Sequence, residues 1–358
     1  MIDAERDKTG SSLPANLPEL TSLRFFAALY VVVFHLFHMK YTEPGFLKNL
    51  IDMGYIGVDG FFILSGFILM HVYIRKYKDG NFSYSGFMIN RFARVYPLHL
   101  FLLCVFVASY YTASRLSIGG ELLGMNWEHL PWHVFAVHAW GTTDSHSWNV
   151  PSWSISAEFF AYLLFPLFLL FAKSIPSRIG LIVSVILFEV AFLVSGHFGH
   201  RLTALMYDFG IIRLFFEFLM GVFLYTVFQK ARIPAKSASR WMAAYLVLIF
   251  LLLGFRVSDM IIVPVLGGLI FLTSCISLGD GQNNPLRHRM IVYLGEISYS
   301  TYMVHFFVIL IVTKAYAKIT GMEPDPFSPG LLISILVLIY GASILLFHLV
   351  EKPSRSWV

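Results

Sequence analysis

Residues 22–39 read SLRFFAALYVVVFHLFHM, an apolar run interrupted by one arginine and two histidines. As a helix this run is about 27 Å long at about 1.5 Å per residue, close to the hydrocarbon thickness of a bilayer. Working outward from it, nine further runs have a comparable length and character: 54–74, 95–112, 154–172, 179–196, 211–228, 241–255, 260–278, 291–313 and 329–349. The chain is 57% apolar and 13% charged, with a mean hydropathy of +0.71. Soluble domains carry about twice that share of charge, so the composition excludes one. The expected fold is an all-α polytopic membrane protein of about ten transmembrane helices.

The basic residues explain the net charge of +5 without nucleic acid. Of the 26 Lys and Arg, 17 lie on the two tails and in the loops after the second, fourth, sixth and eighth runs, against 7 in the opposite loops. The larger group includes Arg6, Lys8, Arg91, Arg94, Arg232 and Arg355. Basic residues are retained on the cytoplasmic side, so both termini are expected there, in a multi-pass protein of the cell (inner) membrane. Residues 1–21 form a polar cytoplasmic tail, 22–349 the membrane domain and 350–358 a second short tail; no cleavable targeting segment is expected at the start. The long loop 113–153 is assigned to the outer side and holds five of the seven tryptophans, which suit an interfacial belt. Cys104 and Cys275 fall in separate apolar runs and offer no disulfide framework.

Ionisable groups inside spans are costly and invite a functional explanation. Arg24 and His35 are eleven residues apart, which returns them to within about 20° of one helix face with a rise of about 16 Å; His38 lies about 60° away. Snorkelling of Arg24 and carbonyl contacts of the histidines are the structural alternative. Gly54, Gly57 and Gly60 recur at three-residue spacing and allow close approach of another backbone, but they leave Asp59 unexplained. Glu158 sits about one turn into its span, at a depth expected to reach His35 and orient it. Arg213 and Glu217, four apart, suit an internal ion pair. Glu296 and His305 lie along the ninth run with Tyr299 and Tyr302 between them, and these residues are candidates to line a cavity. His71, His99 and His348 are placed near cytoplasmic span ends as packing residues. His129 and His133 are four apart with Glu128 and His138 nearby, but Pro131 lies between them and no HExxH pattern exists, so no metal site is expected.

Five blocks taken in order resemble the membrane-bound acyltransferase 3 family: Arg24 with His35 eleven residues on; Gly57 to Phe67 (GVDGFFILSGF); Arg91 to Pro97 (RFARVYP); Ser152 to Glu158 (SWSISAE); and Ile297 to His305 (ISYSTYMVH). The ending Val350-Glu351-Lys352-Pro353 is similar too. The resemblance implies ten core helices and O-acylation of a saccharide or lipid-linked glycan by cytoplasmic acyl-CoA, acetyl-CoA by default, as a co-substrate with no bound cofactor. It is nearest to stand-alone enzymes that decorate exopolysaccharide, lipopolysaccharide or Nod-factor sugars, because the sequence ends nine residues after Leu349. On this reading His35 and Glu158 are catalytic, Arg24, Arg91, Arg94 and Asp59 bind the acyl donor, and His38, Ser65, Trp153, Tyr299, Tyr302 and His305 line the cavity. The partners are membrane lipid, acyl-CoA and the glycan, with no nucleic acid. A glycan or small-molecule transporter or flippase is the alternative; such proteins often show inverted repeats, and none is visible in this sequence.

Overall fold

The computed structural model describes residues 13–356 apart from 15, 39, 116–124, 232 and 280–283. Arg6, Lys8, Arg232, most of the N-terminal tail and part of the loop 113–153 lie outside the described residues. The helices are α1 (Pro18–Phe37), α2 (Phe46–Asp52), α3 (Gly57–Lys78), α4 (Tyr84–Arg115), α5 (Leu130–Val134), α6 (Trp153–Leu163), α7 (Phe165–Ser174) and α8 (Ser177–His197). They continue as α9 (Gly210–Phe228), α10 (Ala235–Gly254), α11 (Asp259–Ile276), α12 (Arg289–Glu296), α13 (Ser298–Thr320), α14 (Pro329–Leu346) and α15 (Lys352–Ser356). Among the described residues nine helical segments are long and apolar enough to cross a membrane, and counting the bent pair α6–α7 as one span gives ten. The all-α polytopic architecture read from the sequence is therefore the observed one.

Three spans differ in shape from their linear reading. The run 154–172 bends by 57° between α6 and α7. Pro166 is the cause, since it cannot donate a backbone N–H and its ring crowds the carbonyl one turn earlier. The run 291–313 breaks at Ile297, so the crossing helix is α13 and Glu296 ends a separate short helix. α4 begins eleven residues before the predicted span, and its 32 residues make it about 48 Å long. Arg91 and Arg94, assigned to a loop, are thus on the helix itself.

α3 and α9 form the buried centre, and their backbones touch. A Cβ at Gly66 would strike the Phe218 carbonyl, and one at Gly221 the Ile63 carbonyl, so the two glycines let the helices cross without side chains between them. Gly54 and Gly57 do the same against Tyr30 and Ala27 of α1, as their spacing predicted; Gly60 instead faces a leucine methyl. α8 lies at the periphery and exposes Ile179, Ile182, Ile186, Val190 and Leu193, the surface a lipid phase would cover. On the face where α1 begins, Glu19 is fully buried and accepts from Arg287 Nε (2.5 Å), Ser277 Oγ (2.6 Å) and Asn284 Nδ2 (3.0 Å). On the opposite face Asn49 donates to the Gly254 carbonyl and Tyr55 to both oxygens of Asp259, which ties α2 and the following turn to α10 and α11.

The described part of the loop 113–153 is folded into the bundle. Trp148 is buried against Leu103, Phe106 and Leu310, and Asn149 donates to the Met303 carbonyl. Only Trp127 and Trp132 of its tryptophans are exposed in the manner of a belt. His99, expected near a span end, meets this loop: its Nε2 lies 2.7 Å from the His133 carbonyl.

Candidate active site

A cavity of about 550 Å³ reaches the N-terminal face at Asn16 and Pro18 and runs inward between α1, α3, α4, α6, α12 and α13. Its basic wall is made by Arg24 of α1 with Arg91 and Arg94 of α4, which lie three residues apart and so project from one helix face. Arg94 has Arg355, Arg24, Arg91 and Glu351 as charged neighbours, three cations against one carboxylate. Glu158 of α6 and Glu296 of α12 line the same space, and Ser65 of α3 donates to Glu158 Oε1 at 2.8 Å. Tyr299 and Tyr302 of α13 close the inner part: Tyr299 donates to the Val95 carbonyl at 2.6 Å, while Tyr302 donates to the Pro151 carbonyl and accepts from Ser154.

One helical turn beyond Tyr302 lies His305, fully buried, with Nδ1 2.6 Å from the Tyr302 carbonyl. Its Nε2 is 3.2 Å from His35 Nδ1, which is itself 3.0 Å from the Val31 carbonyl. These partners assign the tautomers. His305 Nδ1–H donates to Tyr302, so its Nε2 accepts; His35 Nδ1–H is then shared between His305 and Val31, and His35 Nε2 is left carrying a lone pair.

The sequence-predicted residues separate into three groups. Arg24, Arg91, Arg94, Glu158, Ser65, Tyr299 and Tyr302 share the cavity. His35 and His305 form a pair just past its end, so the imidazole expected to meet Glu158 meets a second imidazole instead. Asp59, His38 and Trp153 are outside it. Both oxygens of the buried Asp59 are taken by Arg213, at 3.0 Å from Nε and 2.5 Å from Nη2, so its carboxylate holds a guanidinium in the core and does not face a donor. Glu217, the expected partner of Arg213, is a secondary contact at 3.5 Å. Trp153 lies over the same guanidinium at 5.1 Å, and His38 pairs with Asp52 at 2.8 Å on the opposite face, where Lys48 also meets Asp52. Sequence reasoning missed Arg355, which pairs with Glu351 and joins the basic cluster; the i,i+4 spacing of the two was the available signal. His71 was read as packing and lines the cavity. Among the described residues no group of three or more His, Cys, Asp or Glu is placed to hold a metal.

These features define a polytopic all-α membrane protein with a basic, carboxylate-containing cavity leading toward a histidine pair. A family model described as an acyltransferase domain (Acyl_transf_3) matches residues 17–348, and the chain belongs to that family of membrane acyltransferases. It is 32% identical to acyltransferase MdmB of Streptomyces mycarofaciens over 82% of this chain and 79% of that protein. It is 26% identical to the putative peptidoglycan O-acetyltransferase YrhL of Bacillus subtilis, covering 95% of this chain and 55% of that one. A shorter match, 28% identical over 44% of this chain, is to O-acetyltransferase OatA of Staphylococcus aureus, of which it covers 25%. No solved structure matches significantly.

Proposed function

We propose that the protein moves a short acyl group, acetyl by default, from acyl-CoA to a hydroxyl of a saccharide or lipid-linked glycan, with the N-terminal face cytoplasmic in a cell (inner) membrane. The observation that carries this reading is the basic wall of the cavity. Arg24, Arg91 and Arg94 face a space with too few carboxylates to neutralise them, and arginine binds phosphate through forked, charge-assisted hydrogen bonds. The donor phosphates sit there, and the pantetheine arm runs inward along α1 and α3 past Ser65 and Glu158. Tyr302 stands between the cavity and the histidine pair, so its ring moves aside to admit the thioester. Two of the relatives are named O-acetyltransferases, which supports acetyl and an oxygen acceptor.

His35 acts as general base. Its Nε2 takes the proton of the acceptor hydroxyl while that oxygen bonds to the thioester carbonyl carbon; the C–S bond breaks and the proton passes to the departing thiolate. His305 accepts from His35 Nδ1–H and holds the ring in this tautomer. Glu158, fixed by Ser65, orients the donor's polar arm within the cavity. The test is thiol release from acetyl-CoA by purified protein with a glycan acceptor. His35→Ala is expected to lower the rate by about 100-fold or more, the usual contribution of a general base. Equal release by wild type and His35→Ala would reject this chemistry, and glycan transport without thiol release would point to a transporter.

A further inference from the structure

Four histidines that the proposed acyl transfer leaves idle are buried together where the loop before α6 meets α4, outside the lining of the cavity: His99, His129, His133 and His138, each at most 5% exposed. Asp144 Oδ1 lies 3.1 Å from His129 Nε2, His129 Nδ1 lies 3.1 Å from Ser147 Oγ, and Ser147 Oγ lies 3.2 Å from His133 Nε2. The partners again assign the protons. Asp144 is an acceptor, so His129 Nε2 carries the hydrogen and Nδ1 presents its lone pair to the serine hydroxyl. Ser147 donates to that lone pair, and its oxygen is free to accept from His133 Nε2–H.

We propose that Ser147 is a second acyl-accepting nucleophile, with His129 as its base, Asp144 as the positioning carboxylate and His133 as the donor that stabilises the serine oxygen, acting on short-chain acyl esters. Nucleophile, base and orienting group within hydrogen-bond reach of one another are the signature of an activated serine. A hydrogen-bonded brace for the loop would not need the base's lone pair aimed at the hydroxyl with a carboxylate behind it. The neighbouring Nδ1 atoms of His133, His138 and His99 and Oδ1 of Asn149 are buried without a partner, and so leave polar positions for a ligand to fill. Ser147 is 3% exposed and lies two residues after the exposed Ser145.

The step balances within the site. Ser147 Oγ bonds to the ester carbonyl carbon as its proton moves to His129 Nδ1; the ester C–O bond breaks and the alcohol leaves with that proton. Water or a second hydroxyl then attacks the acyl-serine through the same base and restores the serine. The reaction draws on no acyl-CoA and stands apart from the donor-side reading.

The test is labelling of the full-length protein in detergent with a fluorophosphonate probe, the adduct being mapped by peptide mass spectrometry. One adduct on Ser147 is expected. It is absent in Ser147→Ala and forms about 100-fold more slowly in His129→Ala. Asp144→Asn alters only an exposed side chain and should also slow labelling, with thermal unfolding unchanged. His35→Ala, which disables the donor-side reaction, should keep the adduct at the wild-type rate. No Ser147 adduct on folded wild-type protein, or wild-type rates in both His129→Ala and Asp144→Asn, would overturn the proposal. Thiol release from acetyl-CoA, followed on the same samples, reports separately on the other site.

Discussion

Arg94→Ala separates a ligand site from a structural ion-pair network. Arg94 is surrounded by three other guanidinium groups and one carboxylate, so in the empty protein it faces net repulsion. Its removal should leave thermal stability unchanged or raise it. With donor present the sign reverses, because a charge-assisted hydrogen bond to phosphate contributes about 1.5–3 kcal/mol, equivalent to a rise of about 10- to 150-fold in the KM for acetyl-CoA. Acetyl-CoA at about 100 times the wild-type Kd should stabilise wild type by about 2.7 kcal/mol. At the same concentration the variant should gain only about 0.3–1.4 kcal/mol. Arg94→Lys keeps the charge without the fork and should fall between them. Thermal unfolding with and without acetyl-CoA, paired with initial rates of thiol release, reads both effects. A variant that is less stable when empty and unchanged in KM would make Arg94 structural and refute the donor assignment.

Asp59→Asn should behave in the opposite way. It leaves Arg213 buried without its closest counter-ion, which costs about 3–5 kcal/mol of stability, while the donor KM of the folded fraction stays at the wild-type value; a raised KM at normal stability would return Asp59 to the donor site. The loop histidines make stability pH-dependent. Burial pushes His133 down to about 3 and lowers His138 as well, so the unfolded chain binds protons that the folded chain refuses. The His133 contribution is complete above about pH 6.5 and is lost as pH falls toward 3, at about 1.4 kcal/mol per unit, and His138 adds a loss of the same sign. Unfolding temperatures measured from pH 7 to pH 5 should drop, with a shallower slope in His133→Asn; a flat wild-type profile would contradict the buried neutral rings.

Much of this protein was legible before any tertiary contact was known. The spans follow from length and hydropathy, because each transmembrane helix satisfies its own backbone and needs no partner to be recognised. The spacing of Gly54 and Gly57 announced a close backbone approach that α1 supplies. Arg24 and Glu158 stood out because charge in a span is costly, Arg91 and Arg94 because their block resembles that of an acyltransferase family, and all four face one cavity. Helical periodicity, however, orders residues only around their own axis. It places Arg24 and His35 on one stripe of α1 without saying what that stripe meets.

Only the packing of distant segments decided the rest. Asp59 and Arg213 are 154 positions apart and meet because Gly66 and Gly221 let α3 and α9 touch; without that crossing Asp59 reads as a free carboxylate. His35 and His305 are 270 positions apart, and the break at Ile297 starts α13 where His305 comes level with His35. The loop histidines were readable as a row along the chain, but their convergence on Ser147 depends on the fold of 125–152 against α4. Sequence alone determined what must lie in the membrane, since transfer from water is a property of each segment. Which polar groups share a site is a property of pairs of segments, and only the packed bundle chose those pairs.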